Sequence, residues 1–276
     1  QGVSMDEKTA ELVFWIVHLP LMVLFLAGMW FTFSRWFQGS VGGRPEERKP
    51  GTVLRVVLGT VFSSRLWLLV KTFVVEAWFN RRLYRNSFWR WLNHFLLLSG
   101  LLLLFTLSGI SALSDKVLIH FFHLEHVPWI GMWVNPDHPI TALLNEIGAV
   151  LMSIGFIFFV VRRYFTRVPQ LRTGPMDTWM VIGLGLILLS GWVAEVARLN
   201  SSNVNPATAH FAFVGYPILA PLVRGLPIAW DGFSHWMYVI HGLLTSVIIV
   251  TIPFSKFMHA IAGAIVLIVR EMEERY

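Results

Sequence analysis

The chain has 276 residues, of which 55% are hydrophobic and only 14% are charged, with a mean hydropathy of +0.63. A soluble domain carries about 25% charged residues, so this composition excludes a soluble globular protein and indicates an integral membrane protein. The absence of cysteine excludes iron–sulfur clusters, c-type haem attachment and disulfides within this chain. The net charge of +6 reflects membrane topology and gives no indication of nucleic-acid binding.

Five segments are long and apolar enough to cross a bilayer as helices. In chain order, these predicted spans are residues 11–34, 88–113, 140–163, 176–199 and 232–260. A sixth apolar segment, 53–78, carries Arg55, Arg65 and Lys71, and an arginine at mid-membrane is costly. We therefore expect 53–78 to be an extra interfacial helix, and residues 1–276 to form a single all-α membrane domain.

The basic residues are distributed unevenly between the two sides of the predicted bundle. With five spans and the N-terminus outside, 18 of the 22 Lys and Arg residues fall in the inner segments 35–90, 162–172 and 256–276. Loops on the cytoplasmic side carry an excess of Lys and Arg. The sequence therefore predicts a multi-pass protein of the cytoplasmic (inner) membrane, with its N-terminus outside and its C-terminus inside.

Two histidines in the last predicted span, His241 and His259, are separated by 18 residues. At about 100° per residue, 18 steps make a whole number of helical turns, so on one continuous helix both imidazoles leave the same face. The rise along such a helix is roughly 27 Å, close to the thickness of a bilayer core. This spacing predicts one imidazole near each membrane surface, as two stacked b-type haems require.

Each of these histidines needs a partner at its own depth in the membrane. His94, near the inner end of the second span, matches His259, and facing helices of a bundle commonly build such cofactor sites. His241 lies in the outer half, where His18 of the first span has a similar depth. We expect His241 and His18 to ligate an outer haem iron, or His241 alone to ligate it with an open sixth position.

Several ionisable residues are predicted near the outer surface, where oxidation of a quinol releases protons. Glu195 and Arg198 lie one turn apart near the outer end of the fourth span, Glu146 lies within the third span, and His138 precedes that span. An ionisable group inside a span is a functional candidate by default, and proton transfer needs an acceptor near the quinol ring. The alternative is a structural ion pair or a polar contact within the bundle.

The sequence HGLLTSVIIVTIPFSKFMHAIAG, residues 241–263, resembles the last transmembrane helix of the respiratory nitrate reductase gamma subunit. RTGPMD (172–177) and VVRRYF (160–165) resemble the start of the fourth helix and the end of the third helix of that subunit. The chain has Leu104 where the resemblance would place the second ligand of the outer haem. That departure, together with the basic stretch 53–90, makes the chain more similar to the membrane cytochromes paired with heterodisulfide-reductase-like iron–sulfur proteins, including the DsrM type.

The resemblance implies that His94 and His259 ligate the inner haem and that His241 is one ligand of the outer haem. It implies a subunit with two b haems that exchanges electrons between quinone or menaquinone near the outer face and a cytoplasmic iron–sulfur subunit. That partner would be heterodisulfide-reductase-like or nitrate-reductase-beta-like, with further periplasmic or membrane subunits compatible with the pattern. Two alternatives stay open: a cytochrome with a single haem, and a haem-free membrane anchor or transporter. Quinol oxidation and quinone reduction both fit the sequence.

Overall fold

The computed structural model describes residues 7–36, 59, 62–63, 66–166, 174–202 and 204–273. Within those residues the chain is predominantly helical and contains no β-strand. The helices are α1 Glu7–Trp36, α2 Leu66–Thr72, α3 Arg81–Asn86, α4 Phe88–Ala112, α5 Pro128–Val134, α6 Pro139–Val160, α7 Pro175–Leu199, α8 Pro206–Ala209, α9 Ala220–Val223, α10 Trp230–Thr251 and α11 Met258–Glu273. Wider π-type turns occur at Phe73–Trp78, Leu113–Ile119, Val161–Phe165 and Gly215–Leu219.

Five helical segments of the described residues are long and apolar enough to cross a membrane. They are Lys8–Arg35, Phe88–Ile119, Pro128–Phe165, Pro175–Leu199 and Trp230–Phe254. The predicted all-α membrane protein with five spans is therefore confirmed, while the side on which each end lies stays a prediction. Many large apolar side chains on these segments are exposed to the surroundings of the chain, and few are fully buried, as expected of helices that face lipid.

The fifth span ends earlier than predicted, and this changes the argument about its two histidines. α10 ends at Thr251 and is followed by a tight turn over Ile252–Phe254 and an extended Ser255 (φ −119°, ψ 174°). Pro253 causes the break because it has no N–H for the helical ladder and its ring crowds the preceding turn. The Ser255 hydroxyl then accepts a hydrogen bond from Phe257 N (3.2 Å), at the start of α11.

The prediction of one continuous helix over 232–260 was therefore wrong. His241 lies on α10 and His259 lies on α11, beyond the break. Neither the common face nor the spacing of roughly 27 Å follows for two separate helices, since both assume an uninterrupted helical repeat. The assignment of the two histidines as ligands loses this geometric support, and it stays a prediction that rests on the family resemblance.

Of the segment 53–78, the structure describes Gly59, Phe62–Ser63 and Leu66–Trp78. The last part is helical, as α2 and its π-type continuation, and it is not one of the five candidate spans. Arg55 and Arg65 lie outside the described residues, and the interfacial position of the segment stays a prediction.

The chain divides into two compact units. The first comprises Gln1–Ile16 and Leu92–Thr245, and the second comprises Val17–Trp91 and Ser246–Tyr276. The assignment of 1–276 as a single domain stays a prediction.

Small residues let two helices of the first unit approach closely. A Cβ atom built on Gly100 of α4 would lie 2.4 Å from the backbone nitrogen of Met152 on α6. No side chain fits in that space, so Gly100 is a contact point of the kind that brings membrane helices together. This packing fixes α4 and α6 as a pair.

Ion pairs join the ends of helices in the first unit. Lys116, in the π-type turn after α4, pairs with Glu11 at the start of α1 and with Asp115 (2.7 Å). Arg163 pairs with the buried Asp177 at 3.0 Å, and the same carboxylate accepts a hydrogen bond from Gly174 N at the start of α7. Asp177 therefore both caps α7 and ties it to the end of the preceding span.

In the second unit, α11 packs against α2 and its π-type continuation. Four aromatic side chains cluster in the residues that follow α2. The ring centroids of Phe79, Tyr84 and Phe88 each lie 5.0–5.5 Å from that of Trp91. The Trp91 indole also donates a hydrogen bond to the Phe79 carbonyl (2.6 Å). Aromatic side chains of this kind are typical of helix segments at a membrane surface.

Candidate functional site

His241 is held inside the first unit by a serine of the neighbouring span. Its Nδ1 lies 2.9 Å from the hydroxyl oxygen of Ser190 on α7. The Ser190 hydroxyl also lies 3.1 Å from the Ile187 carbonyl of its own helix. A hydroxyl that donates to this carbonyl accepts a hydrogen bond from Nδ1–H of His241, and in that tautomer Nε2 carries the lone pair that can bind a metal.

The space around the His241 ring also depends on a glycine. A Cβ atom built on Gly191 would lie 3.2 Å from Cε1 of His241, so this position accepts the flat ring because it carries no side chain. A neutral imidazole fixed by a hydrogen bond at Nδ1 is the usual form of a metal-binding histidine. His241 therefore fits the role of an axial haem ligand that the sequence assigned to it.

His18, the predicted partner of His241, has a similar contact in the second unit. Its Nδ1 lies 2.6 Å from the hydroxyl oxygen of Ser246 on α10, and Ser246 is buried. His18 and His241 thus each have a serine hydroxyl at Nδ1, in separate units of the chain. Their pairing on one iron stays a prediction.

The predicted inner pair, His94 and His259, also falls in two different units. His94 is half-buried on α4. His259 has an exposed side chain at the start of α11, where its Nδ1 contacts the Lys256 carbonyl. Their ligation of an inner haem stays a prediction. Among the described residues, no group of three or more His, Cys, Asp or Glu side chains is arranged to hold a metal ion.

Leu104 occupies the position at which the nitrate reductase resemblance would place a second outer ligand. Its Cγ lies 2.9 Å from the point that a Cβ on Gly148 would occupy. The Leu104 side chain therefore fills the contact between α4 and α6. A large flat cofactor has no room at this contact, which agrees with a ligand set that does not use this position.

Glu146 is the most deeply buried of the predicted proton-handling residues, at 2% exposed. Its Oε1 accepts hydrogen bonds from Val214 N (2.8 Å) and Gly215 N (2.7 Å). These two N–H groups open the π-type turn Gly215–Leu219, in the segment between α7 and α10. A Cβ on Gly215 would lie 2.9 Å from Leu199 Cδ1 and 3.5 Å from Glu146 Oε2, so a side chain here would press on Leu199 beside the carboxylate.

Glu195 and Arg198 do form the predicted pair, and a third residue joins them. Arg198 donates to both carboxylate oxygens of Glu195, at 2.8 and 3.2 Å, and its remaining nitrogen contacts Asp137. Glu146 lies close enough to Glu195 and Arg198 to interact with their charges. The structure thus gathers Glu146, Glu195, Arg198 and Asp137 into one group, which we call the acid–arginine cluster.

The fourth predicted residue, His138, has a local structural role. Its ring accepts a hydrogen bond from Ile140 N (3.4 Å) at the start of α6, as an N-cap residue does. Sequence reasoning missed its neighbour Asp137 and the histidine contacts Ser190 and Ser246. Both serines are polar residues inside apolar spans, and such residues rarely occur there without a partner. This feature of the sequence could have identified them as contacts of other polar side chains.

The fold and this site define a multi-pass membrane protein with imidazoles and carboxylates buried among its spans. One subunit of the dihydromethanophenazine:CoB–CoM heterodisulfide reductase of Methanosarcina thermophila is 26% identical over 267 residues, covering 90% of this chain and 87% of that subunit. The corresponding subunit of Methanosarcina mazei is 26% identical over 249 residues, covering 82% and 88%.

A relative of another kind is the EtfAB:quinone oxidoreductase of Syntrophomonas wolfei, 24% identical over 274 residues. That match covers 94% of this chain but 34% of the oxidoreductase, so the chain spans about a third of its length. No family model matches the chain, and no solved structure matches it significantly.

These relatives confirm the predicted resemblance to the membrane subunits of heterodisulfide reductases. The resemblance to the nitrate reductase gamma subunit is not shown by them. The chain is a multi-pass membrane protein of the electron-transfer type.

Proposed function

We propose that the chain is a membrane cytochrome b subunit with two haems, which transfers electrons between a quinone pool near the outer face and a cytoplasmic iron–sulfur subunit. The observation that carries the proposal is the hydrogen-bond chain from His241 to Ser190 to the Ile187 carbonyl. With the Ser190 hydroxyl donating to Ile187, Nδ1–H of His241 would donate to Ser190, and Nε2 would keep a lone pair for the haem iron.

Four histidines would hold the two haems. His241 and His18 would ligate the outer haem, and His94 and His259 would ligate the inner haem. Bound haem supplies reversible one-electron transfer, and the protein sets its potential through the ligands, their hydrogen bonds and the surrounding dielectric. The serine hydroxyls at Nδ1 of His241 and His18 support this assignment for the outer pair.

The carrier on the outer side would be a quinone or menaquinone. The names of the relatives include a carrier in each case, dihydromethanophenazine in one and quinone in the other. The acid–arginine cluster would take up or release the protons, because it holds three carboxyl groups against a single guanidinium. Glu146, with an oxygen turned towards Gly215, is the proton acceptor we favour, with Glu195 and Arg198 beside it and His138 at the edge.

The partner on the inner side would carry the iron–sulfur clusters, because this chain has no cysteine to hold one. The basic inner face around Arg35–Arg90 and the C-terminus would form its docking surface. The names of the relatives point to a heterodisulfide-reductase-like partner more than to a nitrate-reductase-beta-like one. Further periplasmic or membrane subunits are compatible with the proposal.

The experiment that tests the proposal is a haem assay on the chain, purified after expression with ample haem. A b-type absorbance band on reduction, with two haems per chain, is expected. One haem per chain would select the single-haem alternative. No haem at all would contradict the proposal and favour an anchor or a transporter.

A further inference from the structure

Ser190 has a geometry that a merely space-filling residue would not need. It is 7% exposed, and its hydroxyl connects the backbone of its own helix to a ring on another helix. When the Ser190 hydroxyl donates to the Ile187 carbonyl, its oxygen can accept a hydrogen bond from Nδ1–H of His241. In this arrangement Ser190 orients the ring of His241 and leaves Nε2 without a proton.

The same pairing of atoms occurs independently in the other compact unit. There the buried Ser246, 4% exposed, places its hydroxyl oxygen 2.6 Å from Nδ1 of His18. Both serines are buried in spans, and in each case the hydroxyl oxygen lies within hydrogen-bond distance of a histidine Nδ1.

We propose that Ser190 is the positioning residue of His241 and that it lowers the potential of the haem that His241 would hold. The inference rests on the proposed function and names its regulation. A hydrogen bond from Nδ1–H to an acceptor increases the electron density on the ring and so raises the basicity of Nε2. A more basic axial ligand favours the oxidised iron, which lowers the midpoint potential.

The test is a redox titration of the purified chain containing its haems, comparing wild type with Ser190→Ala. The expected result is a positive shift of one of the two midpoint potentials, with the other unchanged. In metal sites, loss of the hydrogen-bond partner of a metal-binding histidine typically weakens metal affinity roughly 10- to 100-fold. We therefore also expect Ser190→Ala to retain the same haem less tightly. Ser190→Thr, which keeps the hydroxyl, is expected to restore the wild-type potential.

Ser153→Ala is the matched control variant. The Ser153 hydroxyl likewise donates to a carbonyl of its own helix, at Ala149 (2.7 Å), and accepts from a ring nitrogen of another helix, at Trp192 (2.9 Å). It differs in that its aromatic partner is not a predicted ligand. Ser153→Ala therefore removes an equivalent hydroxyl and is expected to leave both potentials unchanged.

The outcomes separate this inference from the proposed function. If the wild-type chain binds no haem, the proposed function fails. If the chain binds two haems but Ser190→Ala leaves both potentials and the low-temperature electron paramagnetic resonance spectrum unchanged, the inference for Ser190 is overturned.

Discussion

Replacing Glu146 separates its structural contacts from its proposed role in proton transfer. In Glu146→Ala, the N–H groups of Val214 and Gly215 lose their acceptor, and the second of these bonds is fully buried. A buried donor left without a partner costs about 1–3 kcal/mol. We expect the two together to destabilise the π-type turn by about 2–4 kcal/mol, with the partly exposed Val214 contributing the smaller part.

Glu146→Gln keeps an oxygen of the same size in the same place. An amide oxygen accepts both hydrogen bonds, and a neutral bond is weaker than a charge-assisted one by about 1 kcal/mol or less. We expect Glu146→Gln to destabilise the turn by at most about 1–2 kcal/mol. The amide cannot take up a proton, however, so the two variants differ in stability but share the loss of the acid.

Hydrogen exchange of peptides that cover 204–223 measures the stability of this turn. An energy of 2–4 kcal/mol corresponds to about 30- to 700-fold faster exchange through local opening in Glu146→Ala. The exposed Glu125→Ala is the control and should leave exchange in 204–223 unchanged. Equal exchange in Glu146→Ala and wild type would refute the hydrogen-bonding argument.

The rate of haem reduction by menadiol then measures proton transfer in the variant that keeps the turn. Loss of a general base typically costs about 100- to 10,000-fold, and we expect a loss in that range for Glu146→Gln. If Glu146→Gln reduces its haems at the wild-type rate, Glu146 has a structural role alone.

Three further variants test other contacts. Arg198→Leu leaves the largely buried carboxylates of Glu195 and Asp137 without their cation and should destabilise the chain by about 3–5 kcal/mol. The thermal midpoint in detergent measures this loss, with the exposed Arg224→Leu as control, and equal midpoints for the two variants would contradict the prediction. Gly100→Ala should lower the free energy of unfolding by about 1–3 kcal/mol, because its Cβ meets the Met152 backbone. Gly109→Ala, where a Cβ meets nothing within 4 Å, should leave the thermal midpoint unchanged, and equal midpoints for the two variants would contradict close packing of α4 on α6. His18→Ala should remove the outer haem or change its spin state in the absorbance spectrum, while His138→Ala should leave both haems intact; an unaltered outer haem in His18→Ala would leave His241 with an open sixth position.

The spans could be predicted from the sequence because length and hydropathy alone decide whether a helix can cross a membrane. The end of the fifth span could not, because apolar residues continue beyond Pro253 at Phe254, Phe257 and Met258. The break depends on the missing N–H of Pro253 and on the cap at Ser255. A proline within a helical pattern permits a kink or an end, and tertiary contacts select between them.

Glu146, Glu195, Arg198 and His241 were named as candidates from the sequence, but Asp137, Ser190 and most of the contacts among these residues were not. Glu195 and Arg198 are one turn apart, so their pairing follows from the helical repeat. The contacts of Glu146 with Gly215, of Arg198 with Asp137 and of His241 with Ser190 join residues 51 to 69 positions apart in the sequence. Such contacts depend on how each helix is rotated about its axis, and hydropathy does not determine that rotation.

The measurement that tests the central claim most directly is the number of haems bound per chain in His241→Ala. The His241 imidazole, presented by Ser190 with Nε2 as its binding atom, is predicted to be indispensable for one haem of two. The variant should therefore bind a single haem, with its potential and spectrum unchanged from those of one haem in the wild type. Retention of both haems with wild-type spectra would contradict the account.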